Sequence, residues 1–194
     1  PENVLANILM LKKGKTWSWD LILEEKAWPI IPILEKSQMK EPTSLRWIEN
    51  INSFKSIFEM DITCPPKKCF EKMGSPDILI HLAWDGLPNY KSLHHYEQEL
   101  SYQYNFIKLM IQDGLSSLVV TGTCFEYGYQ NGKLNENKRE LPNNKYSKAK
   151  CILKKYVFFL KNKYEFNLTW GRIFYVYGKH NSRNTLYNQV IESS

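Results

Sequence analysis

Thr123, Tyr146 and Lys150 have side chains suited to proton transfer at an oxygen atom, and their spacing can bring them together. Tyr146 and Lys150 are four residues apart at the start of a helical pattern, so both point to one face of that helix. Thr123 lies where a short apolar strand that begins at Leu118 ends in a small polar cluster. A phenol has a pKa of about 10, which a nearby ammonium lowers. We therefore expect Tyr146 to be a general acid and base, with Lys150 lowering its pKa.

These three residues suit the interconversion of a secondary alcohol and a ketone. Thr123 would hydrogen-bond the oxygen that gains or loses the proton, and Tyr146 would exchange the proton with it. The reaction also moves a hydride, which no protein side chain carries. The residues therefore imply a nicotinamide cofactor.

The chain resembles the extended short-chain dehydrogenases/reductases, and most closely their nucleotide-sugar epimerases, dehydratases and 4-keto reductases. The resemblance covers roughly residues 55–180. It rests on four segments, which are Asp77–Trp84, Thr121–Gly128, Tyr146-x-x-x-Lys150 and Arg172–Gly178. It implies an α/β fold, a Rossmann-like doubly wound parallel sheet with helices on both faces, and NAD or NADP as the cofactor. Residues 1–180 would form the dinucleotide-binding domain and residues 181–194 the start of a truncated substrate-binding region, so the substrate lobe would be largely absent.

The resemblance also implies roles for individual residues. Lys150 would hold the nicotinamide ribose hydroxyls, and Thr123 would polarise the oxygen of the sugar. The implied cofactor-binding residues are Gly14, Asp61, Ile62, Leu82, Ala83, Trp84, Thr121, Tyr146 and Lys150. The implied substrate-binding residues, for a nucleotide sugar, are Asp85, Cys124, Phe125, Glu126 and Tyr175.

Two departures from the family pattern concern the cofactor and substrate sites. The glycine-rich turn places Leu11, Gly14 and Trp17 where relatives have three glycines, so only Gly14 fits the pattern. Tyr175 stands where most relatives have a substrate-contacting asparagine. These departures leave an alternative open, a non-catalytic or truncated family member that acts as a scaffold or as a partner of a full-length enzyme. The shared motifs do not separate an epimerase from a reductase or a dehydratase.

Hydrophobic periodicity predicts alternating strands and helices. The predicted strands cover 7–11, 29–34, 54–60, 77–84 and 166–175, besides the one that begins at Leu118. The predicted helices cover 19–28, 65–73, 96–114 and 146–163. Gly114 is expected to end the third helix. The third and fourth helices are expected to form a homodimer interface, as relatives imply, although the apolar face of the fourth helix suits the core of the domain equally well. The polar loop 128–144 is expected to lie over the substrate.

Composition excludes several other classes. The net charge of +6 comes from lysines scattered among glutamates, without a nucleic-acid-binding motif, so no nucleic-acid partner is expected. No apolar run approaches the ~20 residues that span a bilayer, and no signal-peptide pattern is visible at the N-terminus. The four cysteines lack zinc-site spacing and are interpreted as free thiols in a reducing cytoplasm.

The histidines are not expected to bind a metal. His81 lies inside the predicted strand 77–84 and is interpreted as a satisfied core histidine. His94 and His95 are adjacent and would face different directions on a helix, which makes them a poor metal pair.

Overall fold

The computed structural model describes residues 60–174, the backbone of residues 8–11, and Val190. Several predictions lie outside these residues: the helix at 19–28, the strands at 29–34 and 54–59, the glycine turn with Gly14, the substrate position Tyr175, and nearly all of 181–194.

Four strands and three helices make up the described fold. The strands are β1 (Ile8–Leu11), β2 (Ile78–His81), β3 (Ser117–Thr123) and β4 (Asn167–Ile173). The helices are α1 (Cys69–Lys72), α2 (Leu100–Gln112) and α3 (Lys145–Leu160). A π-helical turn (His95–Glu99) leads into α2, and a 3₁₀ turn (Cys124–Glu126) follows β3.

The strands form one sheet in the order β1-β2-β3-β4. Strands β2, β3 and β4 are parallel, with Leu79 opposite Leu118 and Val120 opposite Trp170. This agrees with the predicted parallel sheet. Strand β1 is the exception, because it runs antiparallel to β2. A sheet that is otherwise parallel can include an antiparallel strand.

The buried face of the sheet is set by alternation along the strands. Leu79 in β2 and Leu118 and Val120 in β3 are almost fully buried and belong to the main core. Their neighbours Ile80 and Val119 point to the other face and are only half-buried among the described residues. Because successive side chains of a strand alternate, the core side also receives His81 from β2.

Helix α2 ends as the sequence predicts, at Gly114. The glycine has φ +114°, its N–H donates to Ile111 O, and the next N–H, of Leu115, donates to Met110 O. This pair of bonds is the Schellman motif, in which glycine tolerates a backbone that other residues resist. The beginning of the helix differs from the prediction, because His95–Glu99 forms a π-helical turn before the α-helix starts.

Helix α3 begins with a capping box. Asn144 accepts a hydrogen bond from Ser147 N with its side chain, and the Ser147 hydroxyl accepts one from Asn144 N. These bonds satisfy backbone donors that the first helical turn leaves unpaired. The helix therefore starts one residue before Tyr146. Its buried face carries Tyr146 and Lys150, followed by Leu153 and Val157.

Three other predicted elements are shorter in the structure. The helix predicted at 65–73 is reduced to α1, because Lys68 before it has a left-handed backbone with φ +58°. The strand predicted at 77–84 stops at His81, whose pairing with Val120 is the last between β2 and β3. The strand predicted at 166–175 covers Asn167–Ile173. Within 8–11 and 60–174, no helix has the length and apolar character needed to cross a bilayer.

His81 is a core residue, as predicted. Its side chain is fully buried, and the side chain of Gln103 interacts with it. Burial, assisted by the ammonium of Lys150, lowers the pKa of His81 to about 3. The imidazole is therefore neutral in the folded protein at neutral pH.

Replacing His81 with leucine is expected to reduce the loss of unfolding free energy that occurs at low pH. The unfolded histidine has a pKa of about 6.5, so below that pH the unfolded chain binds a proton that the folded chain refuses. The free energy of unfolding of the wild type therefore falls as the pH is lowered from about 6.5 towards 3, by roughly 2–3 kcal/mol per two pH units. Urea unfolding of wild type and His81→Leu at pH 6.5 and 4.5 measures this difference. Parallel losses in the two proteins would contradict it.

Candidate active site

Thr123, Tyr146 and Lys150 meet at the carboxyl ends of the parallel strands. Thr123 is the last residue of β3, and Tyr146 and Lys150 lie on the first two turns of α3. All three are buried, with exposed fractions of 7%, 7% and 1%. Ligands of doubly wound sheets bind at this edge. The structure therefore brings together the three residues that the sequence selects as catalytic.

The ammonium of Lys150 lies inside the protein with few partners. Its Nζ donates to the backbone oxygen of Thr121 over 2.9 Å and lies 4.2 Å from the ring centroid of Trp84. Burial lowers the pKa of Lys150 to about 7, although the carboxylates of Glu126 and Glu99 act in the opposite direction. An ammonium has three N–H donors, and among the described residues only Thr121 O accepts one.

The ring of Tyr146 is surrounded by aromatic side chains. Its centroid lies 5.6 Å from that of Trp84, 5.5 Å from that of His95 and 5.7 Å from that of Tyr90. The backbone N–H of Tyr146 donates to Tyr90 O over 3.1 Å. Loop and helix thus fix the phenol from several sides.

The protonation of Tyr146 differs from the sequence-based expectation. Burial raises the pKa of Tyr146 above its ordinary value, and the charges of Glu126 and Tyr90 raise it further. Only the Thr123 hydroxyl acts the other way, by hydrogen bonding. The pKa shift is therefore opposite to the lowering expected from Lys150, because the removal of the phenolate from water is the largest effect. The Tyr146 hydroxyl therefore remains protonated at neutral pH.

Thr123 is held by the turn that follows it. Its Oγ1 accepts a hydrogen bond from Phe125 N over 3.3 Å, and its own N–H donates to Glu126 Oε1 over 2.8 Å. Together these bonds form a capping box around the 3₁₀ turn. The hydroxyl that the sequence assigns to the reacting oxygen thus has a fixed position next to Tyr146.

Glu126 is held in the interior by the protein's own donors. Its side chain is fully buried, and its carboxylate accepts from Thr123 N, from Trp170 Nε1 and from Arg172 Nε. The substrate-binding role of Glu126 stays a prediction. Through these bonds Glu126 joins the end of β3 to β4.

The residues after β2 form the wall next to Lys150. Leu82 is 41% exposed, whereas Ala83 and Trp84 are buried. Thr121 takes part through its backbone oxygen, while its hydroxyl donates to His81 O over 3.2 Å. These predicted cofactor-binding residues thus share one edge of the sheet with Lys150.

Asp61 and Ile62 lie at the beginning of the described segment 60–174. Asp61 Oδ1 accepts a hydrogen bond from Thr63 N over 2.7 Å, which stabilises the turn 61–64. Ile62 is buried in the main core.

The remaining predicted substrate residues divide between the two loops of the site. Phe125 packs edge-on against Tyr90 with 5.1 Å between ring centroids, and burial raises the pKa of the neighbouring Cys124 thiol. Asp85 belongs to the other loop, where its N–H donates to Glu99 Oε1 over 2.8 Å. Asp85 Oδ2 and Glu99 Oε2 lie 3.0 and 3.8 Å from Nε2 of His94. The Asp85–Glu99 contacts fix the loop beside Tyr146.

The loop 128–144 is attached to the site through Gly128. This glycine has φ +66°, and a Cβ at this position would lie 1.9 Å from Leu141 O. No larger residue fits without displacing the backbone. Leu141 N donates to Glu126 O over 3.0 Å, so the far end of the loop returns to the 3₁₀ turn.

Several residues of the site were not found from the sequence. Tyr90 and His95 contact Tyr146, and Arg172 pairs with Glu126, yet none of the three belongs to the motif that carries the chemistry. The position of Tyr90 in a loop at the carboxyl end of β2 is the one available signal. His95 and Arg172 reach the site through contacts between distant segments, which spacing alone does not reveal.

The chain belongs to the NAD-dependent epimerase/dehydratase family, whose model matches residues 23–194. This confirms the resemblance inferred from the motifs and, at the level of the family, the nicotinamide cofactor.

The four cysteines are unpaired, as expected.

Comparison with individual proteins agrees with this assignment. The chain is 28% identical over 128 residues to a dTDP-6-deoxy-L-talose 4-dehydrogenase (NAD(+)) of Aggregatibacter actinomycetemcomitans. The aligned region covers 66% of this chain and 47% of that protein. It superposes with a TM-score of 0.61 and 14% identity on UDP-glucuronic acid 4-epimerase of Bacillus cereus in complex with NAD, over 77% of this chain and 48% of the other.

A second solved structure, a double mutant of the dTDP-glucose 4,6-dehydratase DesIV from Streptomyces venezuelae, gives a TM-score of 0.63 at 14% identity. It is matched over 79% of this chain and 48% of its own length. The chain thus spans about half the length of these relatives. The structural matches confirm the predicted Rossmann-like fold.

Proposed function

We propose that this chain carries the proton-transfer site and part of the cofactor site of an NAD-dependent enzyme that interconverts a hydroxyl and a ketone at position 4 of a nucleotide-linked sugar. The observation that carries this proposal is the convergence of Thr123, Tyr146 and Lys150 at the carboxyl edge of the parallel strands. The names of the three relatives, a 4-dehydrogenase, a 4-epimerase and a 4,6-dehydratase, support position 4.

The residues at this edge fit a nicotinamide cofactor. The Lys150 ammonium has N–H groups that donate to no described residue, and these would donate hydrogen bonds to the ribose hydroxyls. Leu82 is apolar and half-exposed next to it, as the wall of a cofactor site requires. We propose NAD rather than NADP, because the family description names NAD. When bound, the cofactor supplies or accepts the hydride.

Tyr146 would then move the proton. Because burial raises its pKa, the phenol is protonated at neutral pH and can donate to a ketone oxygen that is becoming a hydroxyl. Thr123, fixed by the 3₁₀ turn, would hydrogen-bond the same oxygen. A protonated phenol serves a 4-keto reductase and the reductive half-reaction of an epimerase alike, so the proposal includes both reactions.

The remaining partners follow from the same reasoning. We propose a nucleotide sugar as the substrate, and a homodimer formed through the helices at 96–114 and 146–163. Exposed aromatic side chains on the last turns of α3, Tyr156, Phe158 and Phe159, support this interface. The unpaired cysteines support a cytoplasmic location.

Titration of the purified chain with NAD(H) and NADP(H), followed by reduced-cofactor fluorescence or calorimetry, tests the cofactor part of this proposal. We expect micromolar binding of NAD(H). Lys150→Ala should weaken it by about 10-fold to 100-fold, because hydrogen bonds from a charged donor to the ribose are lost.

Lys148→Ala is the matched control, since Lys148 is exposed on the same helix. It should bind NAD(H) as the wild type does. A folded wild-type chain that binds neither dinucleotide at millimolar concentration would overturn the proposal in favour of a non-catalytic scaffold.

A further inference from the structure

The indole of Trp84 lies between the two residues proposed for cofactor binding and proton transfer. Trp84 comes three residues after the end of β2 and is only 9% exposed. Its ring face lies 4.2 Å below the ammonium of Lys150. Tyr146 meets the same indole edge-on, at 5.6 Å between centroids and 70° between planes. One side chain thus contacts both members of the pair.

A chain of hydrogen bonds fixes the indole. Trp84 Nε1 donates to His95 Nδ1 over 3.1 Å, and His95 Nε2 lies 2.9 Å from Asn89 O. An indole nitrogen can only donate and a carbonyl oxygen can only accept. His95 must therefore accept at Nδ1 and carry its proton on Nε2. This fully buried histidine links the indole to the loop that carries Tyr90.

The surroundings of Lys150 show why the ring is needed. The side chain is 1% exposed, and Thr121 O is its single hydrogen-bond acceptor among the described residues. A buried ammonium with one such partner is poorly compensated for its lost hydration. The face of an aromatic ring attracts a cation, most strongly where water is excluded. Trp84 supplies this attraction on a side where no hydrogen bond to Lys150 exists.

We propose that Trp84 is a positioning residue of this site, which holds the Lys150 ammonium in its charged form and fixes the Tyr146 ring, and which is itself aligned by His95. The consequence for cofactor binding rests on the proposed function of Lys150. The effect on the charge of Lys150 does not, because it depends only on contacts within the chain.

Direct titration of Lys150 by NMR tests this proposal. In a chain labelled with ¹³C-lysine, the signal that disappears in Lys150→Met identifies the residue. Because the ring favours the charged form, its removal in Trp84→Met should lower the titration midpoint of Lys150 by about one pH unit. Trp84→Phe keeps an aromatic face and loses the bond to His95, so its midpoint should fall by clearly less than that of the methionine variant.

His95 loses the hydrogen bond from Trp84 equally in the methionine and phenylalanine variants, and the other groups that act on Lys150 are not substituted. Glu126 and Glu99 favour its charge, buried His81 faces it from β2, and the Tyr146 ring lies 6.0 Å away on its own helix. A difference between the variants therefore reports on position 84. If Trp84→Met does not fold, wild-type chain made with fluorinated tryptophan replaces it, since fluorine withdraws electrons from the ring face while barely changing its shape. The Lys150 midpoint should again fall.

The results separate the two proposals. An unchanged Lys150 midpoint in folded Trp84→Met, or in the fluorinated chain, overturns the role of Trp84. A lowered midpoint together with weaker NAD(H) binding supports both proposals. A lowered midpoint with unchanged NAD(H) affinity keeps the role of Trp84 and removes the ribose-binding role of Lys150.

Discussion

Tyr146→Phe is expected to reduce turnover of a nucleotide-linked 4-keto sugar by about 10²-fold to 10⁴-fold, the usual contribution of a general acid. The substitution removes the hydroxyl that donates the proton and keeps the ring, whose contacts with Trp84, Tyr90 and His95 hold the site together. Affinity for NAD(H) should change little, because Lys150 is unaltered. Steady-state rates, followed by the absorbance of the reduced cofactor, and a cofactor titration measure both quantities.

Tyr90→Phe is the matched control for this experiment. Tyr90 is also a tyrosine in ring contact with Tyr146, but it belongs to the loop, so loss of its hydroxyl should leave turnover within a few-fold of wild type. Equal rates for Tyr146→Phe and wild type would remove the proposed mechanism. A wild-type chain that binds NAD(H) and turns over no nucleotide sugar would instead favour the non-catalytic alternative.

The chemistry of the site could be predicted because it is encoded locally. Tyr146 and Lys150 share a face of one helix through their i, i+4 spacing, and Asn144 shows where that helix begins. The position of Thr123 at the end of a strand could be predicted because the apolar residues of that strand give way to a polar cluster there. The parallel pairing of β2, β3 and β4 then brings these positions to a common edge.

The electrostatics of the site could not be predicted in the same way. The sequence suggests that Lys150 lowers the pKa of Tyr146, whereas burial raises it. Burial is a property of the assembled core, in which Trp84 and His95 cover the phenol. Glu126 illustrates the same limit. Its neighbours in sequence suggest substrate contact, but its partner Arg172 is 46 residues away.

A second large effect concerns the buried ion pair between Glu126 and Arg172. The two side chains are 0% and 10% exposed, and Glu126 Oε2 lies 2.8 Å from Arg172 Nε. Burial opposes the charge of Arg172, but hydrogen bonds to Glu126 and Tyr127 outweigh it and raise the pKa of Arg172 above its ordinary value. Arg172 also pairs with Glu140, which Lys154 of α3 contacts in turn. The network therefore joins β3, β4, the loop 128–144 and α3.

Glu126→Gln is expected to lower the free energy of unfolding by about 1–3 kcal/mol, because an amide replaces a buried carboxylate acceptor while Glu140 still pairs with Arg172. Glutamine has nearly the same shape, so the loss reports on the charge of Arg172 and on the donors that Glu126 accepts. Urea unfolding at neutral pH measures it. Glu136→Gln, the same chemical change at an exposed position of the adjoining loop, should cost less than about 0.5 kcal/mol.

The double variant Glu126→Leu/Arg172→Met decides what kind of stabilisation the pair provides. Apolar residues of similar size often replace an isolated buried ion pair without loss, but here leucine leaves Thr123 N and Trp170 Nε1 without an acceptor, so the double variant should be no more stable than Glu126→Gln. It should not preserve the site either, because Thr123 N loses the carboxylate that accepts its hydrogen bond and the Thr123 hydroxyl is then no longer fixed beside Tyr146. A Glu126→Gln protein as stable as wild type would show that the pair does not hold these elements together.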